Sequence, residues 1–376
     1  MNPGLYIHIP FCEQRCYYCA FTVAVSPEAA FEPYFQRLVR ELEISGFAQE
    51  PKTVYLGGGT PSLVPPAMLA RLMSRIPGTP HEVTIEVNPG TLSSEKVDCY
   101  REIGISRISL GAQSLEDEDL DRAGRLHRAA AVFQDYDLLR RHGFTNVNLD
   151  LIAGLPRQKM ETWCRNLDHV LSLRPEHISI YMLDREERSA WGRVAPGIPG
   201  ENDFAAFYTE AESRLGAEGY EHYEISNWAQ PGFQCRHNQG YWNGAPYRGI
   251  GVGAHSYDGV RRFWNTSSLA DYAERIDRGE LPILEEEVLT PSMRREEAFM
   301  LGLRQASGLD VAGVARNLGI RYPSEWFDRV RQLQEAGWIQ YDGACVKLTA
   351  EGRLAANSVI EELLWPTPSS TFEATL

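Results

Sequence analysis

Three cysteines, Cys12, Cys16 and Cys19, fall within eight residues, directly after the alternating stretch "YIHIPF". Thiolates at CxxxCxxC spacing can bind zinc, exchange disulfides or hold an iron–sulfur cluster. Structural zinc takes four ligands, usually as two CxxC pairs. Only one such pair is present, and His8, a fourth donor in principle, lies on the preceding strand pattern. A redox CxxC uses Cys16 and Cys19 but leaves Cys12 idle. A cubane held by three thiolates keeps one iron open, as an open position marks a catalytic metal. The spacing favours that open cluster over zinc or redox exchange.

Further polar groups stand where strand patterns end. Gly57, Gly58 and Gly59 in "YLGGGTPS" let backbone come close to a ligand, so that their carbonyls can meet an ammonium group; a tight strand-to-helix turn is the plainer use. Glu86 ends the third strand pattern, Gln113 follows the fourth and Asp150 lies within the fifth. Tyr181 and Asp184 close the sixth, and Glu224 belongs to the seventh. Farther on, "HNQGYW" offers His237 as an imidazole able to ligate heme iron, with Tyr241 and Trp242 as stacking faces. A polar loop satisfying its own backbone is the competing reading. His255 and Cys235 are weaker ligand candidates. Cys99, Cys164 and Cys345 sit in helical or strand patterns and read as structural.

Elements must gather these groups. "GLYIHIPF", "TVYLG", "EVTIEVN", "RISLG", "NVNLDLIAG", "HISIYML" and "EHYEIS" read as seven strands alternating with amphipathic helices. The first helix is expected in "PEAAFEPYFQRLVRELEIS", with Ser26 as N-cap and Pro27 at its first position. Such alternation implies a parallel sheet. Polar groups at the ends of successive strands favour an α/β partial TIM-type (β/α) barrel over a doubly wound sheet with one switch point. Residues 1–225 are expected to form this core. Residues 226–284 read as a loop-rich connection carrying the HNxxYW segment. Residues 285–376 show three helical patterns, a hairpin in "GWIQYDGACVKLT" and a closing helix, a winged-helix-like α+β domain. The last ten residues read as a disordered tail.

Composition excludes some classes. A formal net charge of −14 opposes a nucleic-acid binder, which needs a positive field. No apolar run approaches a membrane span. No secretory signal is recognisable and the seven cysteines form no even disulfide framework, so a cytoplasmic protein is expected.

CxxxCxxC after the first strand of a βα barrel resembles the radical S-adenosylmethionine (SAM) superfamily. "YIHIPFC", "GGGTPS", "EVNPGT", "LGAQS", "DLIAGLP" and "GVGAHS" resemble its anaerobic coproporphyrinogen III oxidase-like family over nearly the whole chain. The resemblance implies a 4Fe-4S cluster on Cys12, Cys16 and Cys19. It also implies SAM contacts from Tyr6, Tyr18, Gly58, Gly59, Thr60, Glu86, Gln113, Arg125 and Asp150. Without it, Arg125 would read as a surface charge. The family contains oxygen-independent oxidases, radical methylases and heme chaperones of the HemW type. Oxidases resemble CxxxCxxCxC, whereas Phe21 stands at that position here, and they carry a longer N-terminal segment. "HNQGYW" matches the HNxxYW signature of the heme-chaperone type. Heme bound at His237 is therefore expected, together with heme-accepting proteins such as respiratory cytochromes and an electron donor such as a flavodoxin or ferredoxin.

Overall fold

The structure is a computed structural model of the chain and describes residues 2–183, 187–193 and 197–364. Asp184 and the expected tail lie outside the described residues. Six of the expected strands are β1 (Gly4–Ile9), β2 (Thr53–Gly58), β3 (Glu82–Val87), β4 (Arg107–Gln113), β5 (Val147–Ala153) and β6 (His177–Met182). Neighbours among them pair in parallel, in that order. Their sequences alternate with period two, so each strand has two unlike faces. Leu5, Ile7, Val54, Leu56, Ile85, Ile108, Leu149 and Ile180 form one face, at most 1% exposed, in the main core. The other phase is polar. The register pairs His8 with Gly57 across β1 and β2, and aligns Glu86, Ser109, Asn148 and His177 in one row across β3 to β6.

The seventh strand pattern differs from the expectation of a parallel sheet. β7 (Glu221–Glu224) turns back through two residues into β8 (Asn227–Ala229), and β8 lies antiparallel to both β7 and β6. A parallel return needs a crossover of a dozen or more residues, which Ile225 and Ser226 cannot supply.

The segment read as loop-rich also carries regular structure. It contains helix α1 (Arg236–Trp242) and strands β9 (Tyr247–Ile250), β10 (His255–Tyr257) and β11 (Arg261–Asn265), followed by β12 (Ile283–Val288). β9 pairs in parallel with β1, and β10 to β12 continue antiparallel. The glycines that suggested a loop serve close packing. A Cβ on Gly249 would stand 2.1 Å from the His255 carbonyl oxygen, and one on Gly251 would stand 2.6 Å from that of His8. The result is one 12-stranded sheet ordered β12-β11-β10-β9-β1-β2-β3-β4-β5-β6-β8-β7. Its two edge strands are not paired to each other among the described residues, so the barrel is partial.

At the first expected helix, Pro27 is extended (ψ 154°) and a single 3-10 turn covers Glu28–Ala30 before the α-helix Phe31–Ile44 begins. Ser26 therefore does not cap it. The C-terminal part is α+β, as expected. Helices Pro291–Gly302, Val311–Leu318 and Ser324–Glu335 pack with a three-stranded sheet in which Cys345–Leu348 lies between Leu309–Asp310 and Ile339–Tyr341. Trp326, Phe299, Val346 and Val359 fill this second core. The closing helix is divided into Ala350–Leu354 and Ala356–Leu364. Backbone hydrogen bonds from Ile225 to Arg304 and from Ala306 to Tyr223 tie this part to β7.

Glu224 is buried at that joint. Its Oε1 accepts from the Ser226 amide (3.2 Å) and the Asn227 side chain, while Oε2 has no partner among the described residues. Burial pushes its carboxyl up to about 7, against the downward pull of those hydrogen bonds. In the unfolded chain the group ionises near pH 4.3. The folded state thus holds the proton longer, and this contribution to stability falls as pH rises from about 4.3 to about 7, by up to about 1.4 kcal/mol per pH unit. Glu224→Gln should flatten the parent's melting-temperature profile over that window. A variant profile as steep as the parent's would remove Glu224 as its source.

Candidate cofactor site

β1 delivers the chain to Cys12 at the carboxyl end of the parallel strands, the end at which βα barrels place their chemistry. The three thiols are free and half-buried. A hydrogen-bonded chain joins two of them. Thr60 Oγ1 donates to Cys12 Sγ at 3.6 Å, and Asn88 Nδ2 donates to Thr60 Oγ1 at 2.9 Å. Asn88 Oδ1 accepts from Arg125 Nη2 at 2.9 Å, and Arg125 Nη1 reaches Cys16 Sγ at 3.6 Å and the Tyr18 hydroxyl at 3.4 Å. Arg125 is half-buried and also bonds the Gly111 carbonyl at 2.9 Å, so it is a built-in cation of the site. Burial pushes the Cys12 thiol up to about 11, partly offset by the Thr60 hydroxyl. Metal binding must therefore displace a tightly held proton there.

The three glycines have a packing reason. Gly58 has φ +114°, a conformation that favours glycine. A Cβ on Gly59 would lie 2.6 Å from the Pro10 backbone, and one on Gly58 would lie 2.5 Å from the His8 ring. The Gly59 and Thr60 amides bond the Ile9 and Phe11 carbonyls at 2.8 and 2.7 Å. The triplet thus locks the cysteine segment onto β2 and leaves Thr60 beneath Cys12.

The two carboxylates are held differently. Glu86 accepts from the Tyr55 hydroxyl and the Gly58 amide, each at 2.9 Å; burial, with the nearby Asp150 charge adding, raises its carboxyl to about 7. Asp150 accepts from Ser109 at 2.9 Å and Asn148 at 2.8 Å, and burial raises it too. Gln113 sits at φ +63°, where the register of β4 against β5 shifts. That irregularity re-aims its side chain: its Nε2 and Asn88 Oδ1 both lie over Gly111. Tyr6 faces the same interior, its hydroxyl 3.0 Å from His8 Nδ1 and its ring stacked on Tyr55. Asn88, Tyr55, Ser109 and Asn148 were not singled out from sequence. Their signal was polarity at the inward phase of otherwise apolar strands.

His237 is not among these groups. It lies on α1 beneath the opposite, amino-terminal ends of β1 to β3, and is 3% exposed. Nδ1 is 2.8 Å from Thr53 Oγ1 and Nε2 is 2.9 Å from the Tyr241 hydroxyl. Glu82 Oε1 accepts the His237 amide at 3.0 Å, and Glu82 Oε2 accepts that of Arg236 at 3.0 Å, so the start of α1 is capped by a buried carboxylate. Both imidazole nitrogens are thus engaged, contrary to the expectation of an imidazole open to heme iron.

The three thiols, two of them accepting hydrogen bonds from Thr60 and Arg125, fit a cluster held by three thiolates. Among the described residues no three Cys, His, Asp or Glu side chains converge as on one metal ion. A cubane takes each thiolate on a separate iron, so Cys12, Cys16 and Cys19 need not meet at one point to hold it.

Comparison with known proteins agrees with this arrangement. The radical SAM superfamily pattern matches residues 6–170, and the HemN C-terminal domain pattern matches residues 289–355. A Bacillus subtilis protein named heme chaperone HemW is 33% identical, over 96% of this chain and 98% of its own. Its Escherichia coli namesake is 35% identical, over 91% and 86%. The bovine mitochondrial radical S-adenosyl methionine domain-containing protein 1 is 30% identical, over 96% and 87%. The structure of E. coli coproporphyrinogen III oxidase superposes with a TM-score of 0.85, covering 97% of this chain and 91% of that one at 23% identity, which shows a shared fold.

Proposed function

The chain belongs to the radical SAM superfamily, in the coproporphyrinogen III oxidase-like family with the HemW-type heme chaperones, and we propose that it works there as a heme carrier. Cys12, Cys16 and Cys19 hold a 4Fe-4S cluster, Arg125 and Thr60 hydrogen-bond its thiolates, and Glu86, Gln113 and Asp150 orient SAM. When bound, the cluster supplies one electron to the sulfonium of SAM. Heme is the cargo, passed to acceptors such as respiratory cytochromes in the cytoplasm, with a flavodoxin or ferredoxin as electron source. The observation that carries the reading is the hydrogen-bonded chain Cys12–Thr60–Asn88–Arg125–Cys16, which ties two of the thiols to a fixed cation at the carboxyl ends of the strands. The names of the similar proteins support the cargo. Among the described residues no helix is long and apolar enough to cross a membrane.

Three measurements test it. The anaerobically reconstituted protein, loaded with hemin, should pass it to an apo b-type cytochrome and should not decarboxylate coproporphyrinogen III, since Phe21 replaces the oxidases' additional cysteine. Robust turnover of coproporphyrinogen III would reject the carrier reading in favour of the oxidase. SAM should perturb the electron paramagnetic resonance spectrum of the reduced cluster, and Asp150→Ala should weaken that response at unchanged iron content. A native spectrum indifferent to saturating SAM would count against the whole site.

A further inference from the structure

A cavity of about 450 Å³ opens beside the cysteine segment, within the roughly 300–1,000 Å³ range of small-molecule sites. Ala20, Phe21 and Thr22, the residues directly after Cys19, form one wall, and Tyr6, Tyr241 and Tyr247 form another. Two imidazoles reach it. His8 has both nitrogens engaged, Nδ1 with the Tyr6 hydroxyl at 3.0 Å and Nε2 with the Thr22 carbonyl at 2.7 Å. His255 is exposed to the cavity, and among the described residues neither of its ring nitrogens has a hydrogen-bond partner.

We propose that this cavity is the heme seat and that His255 is the protein ligand to its iron. The proposal rests on the heme-carrier reading and supplies the ligand that His237 does not. His255 is fixed on a rigid element. It pairs with Trp264 across β10 and β11, with rings stacked at 5.5 Å, and its backbone packs against Gly249 of β9. An imidazole with no other partner offers iron a ring-nitrogen lone pair. A histidine is an ordinary axial ligand to heme. The tyrosine rings and Phe21 supply apolar faces for a macrocycle. Arg262, anchored through Nε to Glu297 at 2.7 Å, and Arg188 supply cations for the propionates. Because the wall is the continuation of the Cys19 segment, the cargo and the cluster would share a loop.

Hemin titration of the reconstituted full chain tests this. The parent should bind hemin with a shifted Soret band. His255→Ala should bind at least about tenfold more weakly, and His255→Met should keep hemin with a different spectrum, because the ligand atom has changed. Leu301→Trp, which narrows the cavity from another element, should also weaken binding. Iron and sulfide content should stay at the parent's level in all three, which separates ligand loss from unfolding. If the parent binds hemin and His255→Ala matches it in affinity and spectrum, His255 is not the ligand and the carrier reading stands. Unaltered binding by Leu301→Trp overturns the cavity. A parent that takes up no hemin overturns the carrier reading and this proposal together.

Discussion

Alanine at Cys12, Cys16 or Cys19 should abolish cluster assembly, while Cys345→Ala should leave it intact. Anaerobic reconstitution of the parent is expected to give about four irons and four sulfides per chain, measured by iron and sulfide analysis. With three protein thiolates there is no spare anchor, so loss of any one should act nearly as strongly as loss of all. Cys345 lies in the C-terminal sheet with its thiol 3.4 Å from the Ser307 carbonyl, far from the three in the fold, and serves as the control. Arg125→Met should give an intermediate result. It keeps the thiols but removes the cation and leaves Asn88 Oδ1 without that donor, so the cluster should form and be lost faster under oxidation. Freshly isolated protein with tetrahedral zinc and no sulfide would sink the cluster assignment outright.

The thiols were legible because three cysteines in eight residues have few chemical uses. The parallel core was legible because period-two strands alternated with helices. What failed did so for separate physical reasons. In the segment after residue 225, glycine was read as loop, whereas Gly249 and Gly251 allow β9 to touch β10 and β1. Composition does not distinguish a glycine needed for a turn from one needed for contact. The β7–β8 hairpin was hidden for another reason: β8 has only three residues, too few to show a period. Arg125 was unreadable without the family resemblance, because nothing near it in sequence says that it meets Cys16, 109 positions away. His237 was readable as important but not as to role. Its six-residue motif fits a ligand and a keystone equally, and only the partners on Thr53, Glu82 and Tyr241 tell them apart.

Those partners give the second large effect. His237→Ala should destabilise the fold by about 3 kcal/mol, since Thr53 Oγ1 and the Tyr241 hydroxyl each lose a buried partner at about 1–3 kcal/mol and a cavity is left under Gly4. A fall in melting temperature would report it, and because the iron keeps His255 the Soret band of bound hemin should shift far less than in His255→Ala. The size of the fall should depend on pH in a stated direction. Burial, with the Arg107 charge adding, pushes the His237 imidazole down to about 3, while in the unfolded chain it titrates near 6.5. Below about pH 6.5 the unfolded chain takes up a proton that the folded parent refuses, so the parent loses stability by up to about 1.4 kcal/mol per pH unit. The alanine variant has no such group, and its deficit against the parent should therefore shrink between about pH 7.5 and pH 5.5. Glu224 drives stability the opposite way over part of this range, so the comparison is best made in the Glu224→Gln background. A deficit independent of pH would show that His237 is not held neutral in the fold. A normal melting temperature with an altered Soret band would return the imidazole to the iron and α1 to the role of a ligand loop.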